Sequence, residues 1–249
     1  CPDRPGYGGS TAAPNRGLSG WNDDVAELLA TLGITTRFAI LGISGGGPYA
    51  TNCAAHFGKR VTTLALVSPV GPMSPAALEQ RMPLGFWLFF RRLPRRQRLL
   101  RGMTRIAALT QRRFSARSFR LFARLATPSD RPLLALPHVE SNMLRMTEEA
   151  LASGIEGAMA DMQVFGSDWT LDPTRILCPS SLWQGTADRI VPPVAAITLG
   201  QRLPNCTLHV IPDAGHMWIY GHIPDVLQEL KATITAALGR NHTAHTRSS

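Results

Sequence analysis

Hydrophobic and polar positions keep two different periods along this chain. From Trp21 to Leu32 the apolar residues Val25, Leu28, Leu29 and Leu32 fall at i, i+3, i+4 and i+7, the stripe of an amphipathic helix. Asp23 and Asp24 lie near its start and Gly33 beyond its end, as helix boundaries favour. Arg37 to Leu41 then reads as a short buried strand, and Pro48 to Phe57 returns to helical spacing until Gly58 stops it. Thr63 to Val67 is a second buried strand. Strand, turn, helix and strand within about 30 residues make a βαβ unit, and such units build parallel sheets with helices on both faces.

After about residue 73 the strand pattern vanishes and helical segments follow to residue 168, before strands return at Ser181 to Gln184 and Thr207 to Ile211. A last helix spans Pro224 to Leu238, and the remaining "GRNHTAHTRSS" is too polar to bury anything. The expected architecture is α/β, with a doubly wound, mostly parallel sheet. Its core is formed by residues 1–72 and 169–238, with a helical insertion over 73–168 and a disordered tail over 239–249. No internal repeat is present.

Length and composition narrow the class. A chain of 249 residues, 44% of them hydrophobic, is enough for one large core. No apolar run reaches the roughly 18 residues needed to span a bilayer, so a soluble protein is expected. The chain starts at Cys1 in what reads as the middle of a loop, so its natural N-terminus is expected to lie upstream. Cys1, Cys53, Cys178 and Cys206 are far apart with no C-x-x-C pair, which disfavours a zinc site and a disulfide scaffold. Reduced, mostly buried thiols in a cytoplasmic protein are the expectation.

The formal charge of +9 is unevenly placed. Residues 81 to 131 hold fourteen arginines and one acid, Asp130, a local balance of +13 that leaves −4 for the rest.

Candidate chemistry begins in "FAILGISGGGPYAT", residues 38–51. Gly45, Gly47 and Ala50 fit a dinucleotide-binding G-x-G-x-x-[GA], but the next strand, "TLALVSPV", ends on Ser68 rather than an acid that would hold a ribose. Pro48 also removes a phosphate-binding N–H. The better match is G-x-S-x-G, as Gly42, Ser44 and Gly46, between a strand and a helix. Small residues two before and two after the serine are expected because strand and helix nearly collide there. The turn pushes the hydroxyl out at the top of the sheet, and Gly45 offers a backbone N–H to an oxyanion at the helix N-terminus.

A serine needs a base, and the base needs an orienting group. "SLWQGTADRIVPP" puts Asp188 just past a strand, and "TLHVIPDAGHM" puts His216 just past the next. Asp161, Asp168, Asp172 and Asp213 are rival acids. Among the other histidines, His56, His209, His242 and His245 suit surface or packing roles, while His138 and His222 are candidate pocket neighbours.

With "DRPGYGGS", "GISGGG", "GTADRIVP" and "DAGHM" in this order, the chain resembles the α/β-hydrolase fold family, in its capped esterase-like branch, over most of residues 2 to 235. The resemblance implies that Ser44 attacks the substrate carbonyl, His216 moves the proton, Asp188 orients the imidazole, and the insertion is a lid. It implies a serine hydrolase of carboxylic esters or related acyl compounds, acting without metal or organic cofactor. A non-catalytic or truncated relative that binds a small apolar ligand is the alternative. The expected partner is a small acyl substrate, not nucleic acid.

The family's second oxyanion donor follows early strands that nothing here supplies, so an exposed sheet edge and half an oxyanion hole are expected. An upstream extension is expected to restore ester hydrolysis. Within the insertion, Arg113, Arg117, Arg120 and Arg124 form one helical stripe and Phe114, Leu121 and Leu125 another. Anionic lipid or a phosphate-bearing acyl thioester would suit the arginines. The favoured reading is a solvated face on a lid whose apolar side covers the pocket, with membrane contact the minority reading. Phe86, Trp87, Phe89 and Phe90 either line an acyl pocket or join lid to core.

Overall fold

The computed structural model describes residues 1–13, 17–73, 82–169 and 171–245, with side chains as far as Ala237. Its sheet, among these residues, is built from β1 (Phe38–Ile43), β2 (Val61–Val67), β3 (Ser180–Gly185) and β4 (Cys206–Ile211). They pair in the order β1-β2-β3-β4, all parallel. The apolar runs read as strands in the sequence are these strands, with only small differences at their ends.

Alternation of side chains across the pleat assigns the two faces. Leu64 and Leu66 of β2 and Leu182 of β3 meet Ala50 and Ala54 of α2 (Gly47–Phe57) and Leu199 of α6 (Pro193–Arg202). Ala65, Val67 and Trp183 point the other way, against Ile219 and Val226 of α7 (Ile219–His245). Helices therefore cover both faces, and the sheet is doubly wound as expected. Every residue of β2 is buried, whereas β1 lies at an edge with Leu41 and Ile43 exposed. Fully burying one leucine contributes about 1.5–3 kcal/mol, so the central strands carry much of the stability.

α1 (Gly17–Thr31) starts four residues before the apolar stripe that announces it, and ends at Gly33, whose φ of +67° suits glycine. Gly58, at φ +49°, ends α2 in the same way.

Between β2 and β3 the described residues form no strand. They form α3 (Gln97–Leu125), α4 (Pro137–Ala152) and α5 (Glu156–Gly166), with short helical turns between. The expected start of this insertion, residues 74–81, lies outside the described residues.

Two expectations are corrected. α7 runs through His245 rather than ending at Leu238, because Ala236, Ala237 and Leu238 are strong helix formers that carry the helix into the polar tail. Residues 246–249 lie outside the described residues. Of the four thiols, all unpaired, only Cys53 is buried, and burial pushes it up to about 12. Cys178 and Cys206 are half-buried and Cys1 is exposed. No helix among the described residues is long and apolar enough to cross a membrane.

Candidate active site

Parallel strands end on one rim. Ser44 follows β1 directly, Asp188 lies three residues past β3, and His216 lies five past β4. Ser44 adopts φ +51°, a left-handed conformation that ends the strand in one residue and opens the 3-10 turn Ser44–Gly46 leading into α2. For a residue with a Cβ this costs about 1–2 kcal/mol. Tight approach explains the glycines around it: a Cβ at Gly42 would lie 2.5 Å from Cβ of Ala50, and one at Gly47 would lie 2.4 Å from Cβ of Pro69. At Gly46 a Cβ would meet nothing within 4 Å. The close contact expected two residues after the serine thus falls one residue later.

The three side chains singled out in the sequence form one hydrogen-bonded chain. His216 Nε2 lies 2.9 Å from Ser44 Oγ, and His216 Nδ1 lies 2.7 Å from Asp188 Oδ2. Asp188 Oδ1 accepts the N–H groups of Ile190 at 2.8 Å and Val191 at 3.0 Å. Its Oδ2 also accepts from Gln184 Nε2 at 3.1 Å. Four donors thus converge on one fully buried carboxylate and fix its orientation. A carboxylate facing Nδ1 holds the imidazole proton there and leaves the Nε2 lone pair facing the hydroxyl. This arrangement can remove a proton from Ser44.

A fourth residue holds the histidine loop in place. Buried Asp130 accepts the backbone N–H of His216 through Oδ2 and that of Met217 through Oδ1, each at 3.0 Å. Gly215 lies against it, since a Cβ there would fall 2.2 Å from Oδ2. The sequence marks Asp130 as the one acid in a run of fourteen arginines, without showing what it faces. Removing it would leave two buried N–H groups unpaired and loosen the loop that positions the imidazole. Asp130→Ala is expected to lower kcat about ten- to a hundredfold with KM nearly unchanged. Asp130→Asn, which keeps one acceptor, should fall between. Full activity in a folded alanine variant would remove Asp130 from the site.

The rival groups go elsewhere. Asp161 of α5 is buried between Arg4, Tyr7 (Oη 2.9 Å) and Tyr49 (Oη 2.7 Å), tying the N-terminal loop to α2 and the insertion. Burial, and then the charge of Asp161, push both phenols well above their usual range. Asp168 meets Arg91, Asp172 caps the turn at Thr174, and Asp213 is exposed. His209 stacks on Trp183 and bonds Glu229, His222 stacks on Trp218, and His56 meets the edge of Phe57. His138 is exposed, and the side chains of His242 and His245 lie outside the described residues.

The insertion lies over the serine turn. A Cβ at Gly45 would come within 2.9 Å of the Phe165 ring, and Phe165 joins Tyr49, Met73, Phe90 and Val164 in one apolar cluster. Of the four aromatics at 86–90, Phe90 is buried in that cluster, Phe86 and Trp87 pack against it, and Phe89 is exposed.

Comparison with known proteins agrees with this architecture. The model of a family described as alpha/beta hydrolase fold matches residues 1–222. A thermophilic esterase from Thermogutta terrifontis is 24% identical with a TM-score of 0.63, covering 95% of this chain and 79% of its own. A bromoperoxidase from Bacillus anthracis is 17% identical with a TM-score of 0.66, covering 94% and 80%. An esterase from Exiguobacterium antarcticum is 16% identical with a TM-score of 0.64, covering 94% and 80%. Identities this low speak for the fold. No curated protein matches the chain significantly.

Proposed function

Because the chain belongs to the α/β-hydrolase fold family, we propose that it is a serine hydrolase that cleaves carboxylic esters or related acyl compounds through a covalent acyl-enzyme. The observation that carries this reading is the unbroken hydrogen-bonded chain from Ser44 through His216 to Asp188 at the strand ends. In the proposed reaction, His216 Nε2 takes the hydroxyl proton as Ser44 Oγ bonds to the substrate carbonyl carbon. Asp188 stabilises the resulting imidazolium, and the N–H of Gly45, in the first turn before α2, donates to the oxyanion. Collapse expels the alcohol, which takes the proton from Nε2. Water, deprotonated by the same nitrogen, then bonds to the acyl carbon, and the bond from that carbon to Ser44 Oγ breaks as Oγ takes the proton back from Nε2 and the acid leaves. Residues 73–168 act as a cap, with Phe165 and its neighbours shielding the reacting carbonyl from bulk water.

A fluorophosphonate probe tests the reading, since it needs an activated serine and no particular acyl group. One adduct per chain is expected, on the peptide containing Ser44 by mass spectrometry. A series of p-nitrophenyl esters of graded acyl length would then define the pocket. Folded protein that forms no adduct at Ser44 would sink the hydrolase reading in favour of a non-catalytic binder of a small apolar ligand.

A further inference from the structure

The apolar side of α3 faces away from the molecule. Leu100 and Ala108 pack inward against Ile155, just before α5, and Met159 of α5. On the opposite side Leu99, Met103 and Ile106 fall at i, i+4 and i+7, with exposures of 57%, 47% and 66%, and Leu109 continues the strip. Farther along, Phe114, Leu121 and Leu125 are also exposed, so they do not cover a pocket as expected. Phe119, with Phe122 beside it, packs inward there instead. Leu99, at the start of the strip, meets Leu88 and Phe89 across a shallow groove of about 370 Å³ that Arg92 and Arg96 also line. Leu84, 69% exposed, lies one turn before Leu88.

Arginines border this apolar face. Arg98 and Arg105 run beside the strip seven residues apart, and Arg92, Arg95 and Arg96 precede it, all exposed. None of the five has an acidic partner among the described residues. Arg92 lies over the Trp87 ring at 4.6 Å. Large leucine, isoleucine and phenylalanine side chains in water are unfavourable, and uncompensated arginines beside them repel one another. One environment relieves both: an interface with apolar depth and negative headgroups.

We propose that the outer face of α3, together with Leu84, Leu88 and Phe89, docks on an anionic lipid bilayer. The apolar strip enters the headgroup boundary and the arginines engage lipid phosphates and carboxylates. Charge disfavours a second copy as occupant, because the five exposed arginines beside the strip would meet their own counterparts. The proposal stands independently of the chemistry at Ser44.

The test is co-sedimentation of the full chain with large vesicles of phosphatidylcholine alone or with 30% phosphatidylglycerol, at low salt and at half-molar salt. Binding is expected on the anionic vesicles at low salt, falling steeply with salt, and absent on the neutral ones. Ile106→Asp and Leu109→Asp together should weaken it at least tenfold. Arg98→Gln with Arg105→Gln should weaken it about twenty-five-fold, at about fivefold per arginine. All four positions are exposed, and far-UV circular dichroism checks that the variants fold. Equal binding to both vesicle types, no binding to anionic vesicles at low salt, or indifference to the aspartates would each overturn the proposal. So would a concentration-dependent dimer that Ile106→Asp abolishes, or binding to an acidic polypeptide without binding to vesicles.

Discussion

Ser44→Ala is expected to lower ester turnover by about four to six orders of magnitude, with the circular dichroism spectrum unchanged. The Ser44 hydroxyl makes its hydrogen bond to His216 Nε2, and alanine keeps the same Cβ in the same left-handed conformation. The substitution therefore removes the proposed nucleophile and little else. Residual turnover would come from binding and the oxyanion donor alone. Ser44→Gly should be equally inactive yet more stable by about 1 kcal/mol, because glycine carries no penalty at φ +51°. An inactive, more stable variant would show that strain is held where the nucleophile is displayed. Turnover followed with a chromogenic ester, beside a thermal melt, separates the two effects. If Ser44→Ala kept more than about one hundredth of the activity, a loss that removing a nucleophile greatly exceeds, the attacking group would lie elsewhere.

The three groups at the rim were legible in the sequence because each stands beside strong local punctuation. Ser44 has glycines on both sides, Asp188 precedes Pro192 after an apolar strand, and His216 follows a glycine after the next strand. Parallel pairing does the rest, since strands aligned in one direction bring loops about 30 to 170 residues apart to one edge. Asp130 was not legible as a partner of that loop. Its two hydrogen bonds reach 86 and 87 residues along the chain, from a helical insertion whose docking no periodicity encodes. Asp161 stood only among rival acids, since its partners lie on the N-terminal loop and on α2. Helical spacing gave α3 two faces and the natural assumption that the apolar one is buried. Leu100 and Ala108 bury the other face because Ile155 and Met159, at the start of α5, lie there.

Asp188→Asn should lower kcat by about ten-thousandfold while costing about 1–2 kcal/mol of stability. The new amide keeps an oxygen for the N–H groups of Ile190 and Val191, which fixes its other end, now an NH₂, toward His216 and Gln184. Gln184 can accommodate the change only in part: its buried Oε1 has no partner among the described residues, and rotating the amide turns that oxygen toward the new donor but gives up the bond from Nε2 to Gly185 O at 3.0 Å. His216 cannot. Its Nδ1 must become the acceptor, so the ring proton moves to Nε2 and confronts Ser44 Oγ with a donor where a base is needed. The fold thus retains most of its hydrogen bonds while the chemistry loses its tautomer. Gln184→Leu added to Asp188→Asn removes the compensating acceptor and should bring a further stability loss of about 1–3 kcal/mol without further loss of turnover. Melting temperature and kcat, measured on the single and double variants, would then move independently. If Asp188→Asn instead retained a tenth or more of native kcat, Asp188 would not be the group that sets the imidazole, and the proposed relay would end at His216.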